Sequence, residues 1–318
     1  MTELAIGIDL GGTDIKSGLV ASDGRIVARR SVPTEADRGV DHVLDAIIRE
    51  IEVLRALAPS DSMGIAAVGV GAPGTLSHRR GVVISPPNLP GWRDVPIADR
   101  VSSATGLRVV LENDANNAVW GEYVCGAGRG VRSVVMLTLG TGIGGGIILD
   151  GRLHRGVHES AAELGHTIVE IGGRPCACGQ RGCLEAYASA ANTAARAAEL
   201  LDAGEASCLS EIVARGEALT AAAVSDAAAG DGAASRVWAD TCRYLAVACI
   251  NIWHGFDPDR ILLAGGMSGA GRRLLDPVRA GVESMASTMF GEGPDIRLAE
   301  LGNDAGFVGA ALSVFRDA

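Results

Sequence analysis

Aromatic residues are scarce in this chain, at 3%, and lysine occurs once, at Lys16, among 28 basic residues. With so few large rings the core must be filled by Ala, Val, Leu and Ile, which a 47% hydrophobic content supplies. Blocks of Lys and Arg are missing, and 38 acids against those 28 bases give a formal net charge of −10. Such a surface repels polyanions, which argues against a nucleic-acid or anionic-membrane partner. A nucleotide substrate would then need local dipoles or a metal to hold it. The longest apolar run, 245-LAVACINIW-253, is far short of the ~18–20 residues a membrane span requires. The opening MTELAIGIDLGG carries an acid at Glu3 and an early turn, unlike a signal or transit peptide, so a cytoplasmic protein is expected.

Seven cysteines is an odd number, and a reducing compartment disfavours disulfides. Cys125, Cys208, Cys242 and Cys249 stand singly in apolar or helical contexts and are expected to be small buried residues. Cys176, Cys178 and Cys183 are different, because they crowd into 176-CACGQRGCLE-185.

At 318 residues the chain suits one large domain or two ordinary ones. Residues 4-LAIGIDL-10 read as a buried strand, followed by the turn GGT, a strand over about 15–21 and a third over 25–32. Apolar spacing turns helical across 41–57, where Val43, Leu44, Ile47, Ile48, Ile51, Leu54 and Leu57 share a face. Further strands are expected at 65–71, 107–114, 133–140, 147–151 and 260–266, with a proline-rich loop at 85-SPPNLPGW-92 and a short helix after it. The Ala-rich 191–256 reads as helices broken near Gly204, Gly216 and Gly230, and 305–315 as a closing helix. Setting 6-IGIDLGGT-13 beside 135-VMLTLGTG-142 gives a weak repeat of strand, glycine turn and strand, one copy opening each half. Two α/β halves with a cleft between them is the economical architecture.

Three glycine turns follow strands, where backbone N–H groups can converge on an anion with no side chain in the way. The first, 9-DLGGT-13, adds Asp9, able to hold a hydrated Mg²⁺, while Gly11, Gly12 and Thr13 approach phosphate oxygens. The second, 140-GTGIGGG-146, offers Thr141 and Gly142; the third, 265-GGMSGAG-271, precedes a helix, and its Gly265 and Gly266 suit a nucleoside. One such turn alone is more often a tight bend that needs φ > 0. Three in this order are more informative. Neither GxxxxGKS/T nor a GxGxxG opening a helix within a βαβ unit is present, which removes P-loop and Rossmann assignments.

His166, Cys176, Cys178 and Cys183 amount to one nitrogen and three thiolates, the tetrahedral set preferred by structural Zn²⁺. Gly179 and Gly182 let the loop fold back on the ion. Three thiolates around one point are costly without a cation, and the CxxC of a redox site is missing. A filled zinc site would fix the flanking Glu163 and Glu185 as rigid acceptors for hydroxyl groups, whose loss in an analogue leaves them unpaired. In 112-END-114, Asp114 can accept a hydroxyl proton while Asn113 orients the substrate. Asp114 can equally cap a helix starting at Ala115, and the residues alone leave both readings open. Trp92 reads as packing.

These motifs carry a resemblance. DLGGT, GTGIGGG and LAGG match the phosphate-1, phosphate-2 and adenosine segments of the actin-like, ribonuclease-H-like ATPase and sugar-kinase superfamily. The run 163-ELGH-166 followed by CACGQRGCLE resembles the signature of the ROK family of repressors, open reading frames and sugar kinases, and within it the bacterial glucokinases. The resemblance implies a two-domain actin-like fold with a central cleft and a zinc loop. Residues 1–112 and a C-terminal helix over 304–318 would form the smaller domain, and 113–303 the larger. It also implies ATP-dependent phosphorylation of a hexose 6-hydroxyl, with glucose first and N-acylmannosamine or another hexose as the alternative. Mg²⁺, a structural Zn²⁺ and a homo-oligomer (dimer or tetramer) belong to the same expectation. By this likeness Asp114 is the catalytic base, and Gly74, Asn88, Asn113, Glu163, His166 and Glu185 bind the sugar, His166 through the ring nitrogen turned away from the metal. Asp9, Gly11, Gly12, Thr13, Thr141, Gly142, Gly265 and Gly266 serve the nucleotide.

A sugar-responsive repressor of the family would carry a helix-turn-helix ahead of the first strand, for which a strand starting at Leu4 leaves no room. A non-catalytic sugar-binding protein is disfavoured by the intact END triplet. One departure stands out: the family commonly has lysine after GGT, whereas Asp14 stands there, with Lys16 two positions on.

Overall fold

The computed structural model describes residues 2–60, 62–86, 88–286 and 291–315. Strand β1 (Leu4–Leu10) pairs antiparallel with β2 (Asp14–Ala21), which pairs antiparallel with β3 (Ile26–Pro33). Helix α1 (Val40–Ala56) crosses to β4 (Ile65–Ala72), parallel to β1. A small hairpin, β5 (Thr75–Ser77) and β6 (Val82–Ser85), and helix α2 (Ile97–Thr105) then lead to β7 (Val109–Asn113), parallel to β4. The sheet order is β3-β2-β1-β4-β7.

The two faces of β1 are built differently because side chains alternate along a strand. Leu4, Ile6, Ile8 and Leu10 bury with Val43, Leu44, Ile47, Ile51 and Leu54 of α1. On the other face Gly7 lies in register with Gly18 and Gly69. A Cβ on Gly7 would fall 1.8 Å from Phe307 O, and one on Gly69 1.7 Å from Ala310 O. Only glycine there lets helix α10 (Ala305–Ser313) lie directly on the strands. Apolar on every side, α10 is buried along its whole length. It also packs on helix α3 (Asp114–Cys125). Asp9 shares the Gly7 face, so its carboxylate is delivered to the α10 side.

A second five-stranded sheet has the order β10-β9-β8-β11-β12, formed by β8 (Val134–Leu139), β9 (Ile143–Leu149), β10 (Arg152–Leu153), β11 (Arg260–Ala264) and β12 (Asp295–Leu298). Counted by appearance in the chain, both sheets run third, second, first, fourth, fifth. The weak sequence repeat is thus a repeat of topology. Between β10 and β11 lie α4 (Glu185–Ala188), α5 (Ala190–Asp202), α6 (Ser210–Ala214), α7 (Ala221–Ala227) and α8 (Gly232–Phe256), and α9 (Arg272–Met285) joins β11 to β12. Mixed sheets with helices between their strands make the class α/β.

Packing groups Met1–Gly130, Gly146–Ala161 and Glu300–Ala318 as one compact unit, and Val131–Gly145 with Ala162–Ala299 as another. Because α3 packs on α10, the first unit extends past the expected boundary at residue 112. Of the segments expected from sequence, Pro87 in the proline-rich loop and 316–318 at the end lie outside the described residues.

Two expectations are corrected. The stretch GTGIGGG is not one turn: the bend is confined to Gly140–Gly142, with Gly140 N–H donating to Gly142 O at 3.0 Å, and Ile143–Gly146 already belong to β9. Those glycines serve close packing, since a Cβ on Gly145 would lie 2.4 Å from Ala162 O and one on Gly146 2.5 Å from Val119 Cγ1. Cys208 is exposed rather than buried, because it sits ahead of α6, where its N–H donates to Asp231 Oδ2 at 2.7 Å. Cys242 and Cys249 are buried and Cys125 is half-buried. Among the described residues no helix is long and apolar enough to cross a membrane.

Candidate functional site

In the first unit, the β1–β2 turn is latched from within. Gly11 N–H donates to Asp14 O at 3.0 Å, Thr34 N–H donates to Thr13 O at 2.8 Å, and Thr34 Oγ1 donates to Gly11 O at 2.7 Å. Gly11's own N–H is therefore taken, and Gly12–Thr13 form the tip. A Cβ on Gly12 would sit 2.8 Å from Asn88 Cβ, so the exposed Asn88 rests against the turn. Gly74, with φ +75°, makes the bend between β4 and β5. Trp92 is buried in the core of this unit, as packing.

Asp9 is surrounded on its face of the sheet. Lys16 of β2 stands across from it in register, Gly71 of β4 on the other side, and α3 brings Asp114 near. Gly306 of α10 lies so close that a Cβ there would be 2.4 Å from Asp9 Oδ2. The residue is half-buried, and burial first, then the Asp114 charge, push its carboxyl up to about 7 against the pull of Lys16. A carboxylate held this way gains from a divalent cation, which favours its charged form.

The END triplet resolves into separate parts. Asn113 ends β7 in extended conformation, and its Oδ1 accepts from Ala115 N at 3.0 Å and Asn116 N at 3.2 Å. The helix cap is Asn113, not Asp114. Asp114 is the first residue of α3, with Oδ1 accepting Ala115 N–H at 2.8 Å. Only the Nδ2 end of Asn113 remains for a substrate. Gly71 makes room for this turn: a Cβ there would be 2.8 Å from Asn117 Nδ2 and 3.7 Å from Asp114 Cα.

In the second unit, the loop after His166 closes into a knuckle. Cys176 N–H donates to Gln180 O at 2.9 Å and Gly179 N–H to Cys176 O at 3.0 Å. Gly179 and Gly182 both have positive φ, and a Cβ on Gly182 would lie 1.8 Å from Glu170 O. The fold gathers one ligand atom each from His166, Cys176, Cys178 and Cys183 within 4.8 Å of one another. Cys178 Sγ and Cys183 Sγ are 3.7 Å apart, as are Cys176 Sγ and His166 Nδ1. Sulfurs bound at ~2.3 Å around a tetrahedral ion are about 3.8 Å apart, so this set fits Zn²⁺. With Nδ1 turned to the sulfurs, Nε2 of His166 faces away from them.

Glu185 opens α4 two residues past Cys183. Its Oε2 accepts the Ile143 N–H at 2.8 Å, Oε1 is 3.9 Å from Cys176 Sγ, and a Cβ on Gly142 would be 2.5 Å from Oε2. The carboxylate is thus fixed between the cysteine cluster and the second glycine turn, which carries Thr141 and Gly142. Ala190 N–H holds the same turn from the other side, donating to Gly140 O at 2.8 Å. Glu163 is exposed, and its backbone carbonyl accepts the His166 N–H at 3.0 Å.

Gly265 has φ +83° and would place a Cβ 2.6 Å from Leu139 O, so the third turn also requires glycine. Gly266 borders a cavity of about 440 Å³ whose walls include Ala190, Ser225, Asp226 and Arg273. Arg273 donates to Asp226 Oδ1 at 2.5 Å and to Ser225 Oγ at 3.3 Å. Sequence reasoning found the glycines here and missed Ser225, Asp226 and Arg273, which no motif or spacing marks. It also missed Gly306, which in sequence is one of several small residues in an apolar helix.

A sequence profile of the ROK family matches residues 5–316. The glucokinase of Halalkalibacterium halodurans is 38% identical over 315 residues, covering 97% of this chain and 94% of that protein. The N-acetylmannosamine kinase of Citrobacter koseri is 34% identical over 307 residues, covering 96% and 97%. The crystal structure of a ROK family glucokinase from Streptomyces griseus in complex with glucose and AMPPNP matches with a TM-score of 0.80 at 36% identity, over 97% of this chain and 98% of that one.

Proposed function

The chain belongs to the ROK family, and on that premise we propose that it is an ATP-dependent hexose kinase that converts glucose to glucose 6-phosphate. The observation that carries this reading is Asp114, which opens α3 near Asp9 of the phosphate turn while Asn113 takes over the helix cap. Asp114 would accept the 6-hydroxyl proton as that oxygen bonds to the γ-phosphorus, and the electron pair of the breaking P–O bond leaves with ADP. Gly11, Gly12 and Thr13, with Thr141 and Gly142, would meet the phosphates, and Gly265 and Gly266 with their cavity the adenosine. Gly74, Asn88, Asn113, Glu163, His166 and Glu185 would bind the sugar.

Asp9 would hold Mg²⁺, whose charge, when bound, offsets that of the phosphates. His166, Cys176, Cys178 and Cys183 would hold a structural Zn²⁺ that keeps Glu185 and His166 in place. The two units would then form the two-domain actin-like ATPase fold. A cytoplasmic setting, where thiols stay reduced, suits a site of three cysteines.

Within the family, N-acylmannosamine is the competing substrate, as the Citrobacter koseri relative's name indicates. The anchored Glu185 favours glucose. An acceptor that cannot retreat must be desolvated by an axial acetamido group without a compensating partner. A coupled assay with a panel of hexoses, each offered with ATP, ADP and polyphosphate, tests the proposal. Glucose with ATP should be the most productive pair; an enzyme that phosphorylates no hexose in the panel refutes the reading.

A further inference from the structure

Glu112, the first residue of the END triplet, has no part in the chemistry above, yet both its carboxylate oxygens are bonded. Oε1 accepts Asn113 N–H at 3.1 Å and Asn116 Nδ2 at 3.0 Å. Oε2 accepts Arg155 Nε at 2.6 Å, with His78 Nδ1 3.8 Å away and donating to Leu111 O at 2.6 Å. Glu112 is 2% exposed, so its charge depends on these partners. Arg155 Nη2 is buried without a partner among the described residues, and Nε makes the bond to Glu112.

Arg155 comes from the loop after β10. That loop closes on itself through Ala161 N–H, which donates to Arg155 O at 3.0 Å, and Glu159 pairs with Arg79 at 3.3 Å. All these residues belong to the first unit, and the chain reaches Glu163 two residues past Ala161.

We propose that Arg155 is a positioning residue for phosphoryl transfer: through Glu112 it sets the turn that carries Asn113 and Asp114, and through its loop it couples that turn to the segment leading into Glu163. The inference rests on the reading of Asp114 as the base. Its physical content is that one cation neutralises a buried carboxylate whose other oxygen ties down the first turn of α3. Removing Arg155 takes away the 2.6 Å charged partner of Oε2, and the turn that Oε1 holds shifts as the carboxylate settles into its remaining contacts. A displacement of about 1 Å at a reacting group can lower a rate by ~100-fold.

The test combines kinetics with hydrogen exchange on Arg155→Met, Arg155→Lys, Glu112→Gln and the Arg155→Met/Glu112→Gln double variant. Exchange over 112–117 should quicken in Arg155→Met and Glu112→Gln. Their kcat should fall ~10–100-fold, with KM for ATP within about twofold of wild type. The double variant should be no slower than its slower parent, because the pair acts as a unit. Arg155→Lys should recover part of the loss. Unchanged exchange over 112–117, or wild-type kcat in variants with lowered Tm, would overturn the inference and leave the pair purely structural. If Arg155→Met does not fold, Glu112→Gln, which keeps the shape of the side chain, decides. A wild-type protein without sugar kinase activity refutes the functional reading instead, and the exchange data still judge the coupling.

Discussion

Asn113 caps helix α3 and Asp114 begins it: Asn113 Oδ1 accepts the N–H groups of Ala115 and Asn116 at 3.0 and 3.2 Å. The division makes two neighbouring substitutions distinguishable. Asp114→Asn should lower kcat by at least ~100-fold with little change in Tm, since only the proton acceptor is lost. Asn113→Ala should instead cost about 1 kcal/mol of stability, the usual worth of a cap. Steady-state kinetics and thermal melts on both variants check this. Near wild-type turnover in Asp114→Asn would reduce Asp114 to a bystander.

The purified protein should contain about one zinc per chain, held by His166, Cys176, Cys178 and Cys183. Chelation, or Cys176→Ser, should abolish sugar binding by releasing Glu185 and His166 rather than by removing a catalytic ion. Elemental analysis and calorimetry with glucose measure both effects. Fully active protein without zinc would count against the site.

Asp9 gives a pH-dependent prediction. Its carboxyl is pushed from 3.8 to about 7 by burial and by Asp114. The folded protein therefore keeps a proton that the unfolded chain has already lost. Asp9's contribution to stability is full below about pH 4 and is lost as the pH rises through about 7. In metal-free buffer Asp9→Asn should be more stable than wild type by on the order of 1–4 kcal/mol at about pH 8, with no gain near pH 4. The same variant should lose kinase activity. Urea melts at the two pH values decide, and a gain independent of pH would be inconsistent with this account of Asp9.

Gly142→Ala places a Cβ 2.5 Å from Glu185 Oε2, which must then leave the Ile143 N–H. The clash is with the end of a side chain, so Tm should barely move. The KM for glucose should rise by roughly tenfold, because a polar acceptor has been displaced from its position. An unchanged KM would remove Glu185 from the sugar site.

Much of this architecture is legible in the sequence. Strands such as β1 and β4 and helix α1 show their apolar period over enough residues to set their ends within about one position. The cysteine cluster was legible because its ligands lie close together in sequence. The short strands β5, β6 and β12 were not, since three or four residues cannot display a period. Glycine misled at Ile143–Gly146, because a residue needed for a bend and one needed for close packing look alike in sequence. The sequence offered Asp114 as a helix cap, and only the hydrogen bonds gave that role to Asn113. Asp226 of α7 and Arg273 of α9 lie far apart in sequence, and no local pattern encodes their hydrogen bond.

The most direct test of the central claim is kcat/KM for glucose and for N-acetylmannosamine, measured at one ATP concentration. An axial acetamido group set against the anchored Glu185 should lose roughly 1–3 kcal/mol. One decade in rate is ~1.36 kcal/mol, so glucose should be favoured by about tenfold or more. A ratio favouring N-acetylmannosamine would contradict the substrate assignment, and no turnover of either sugar would contradict the kinase itself.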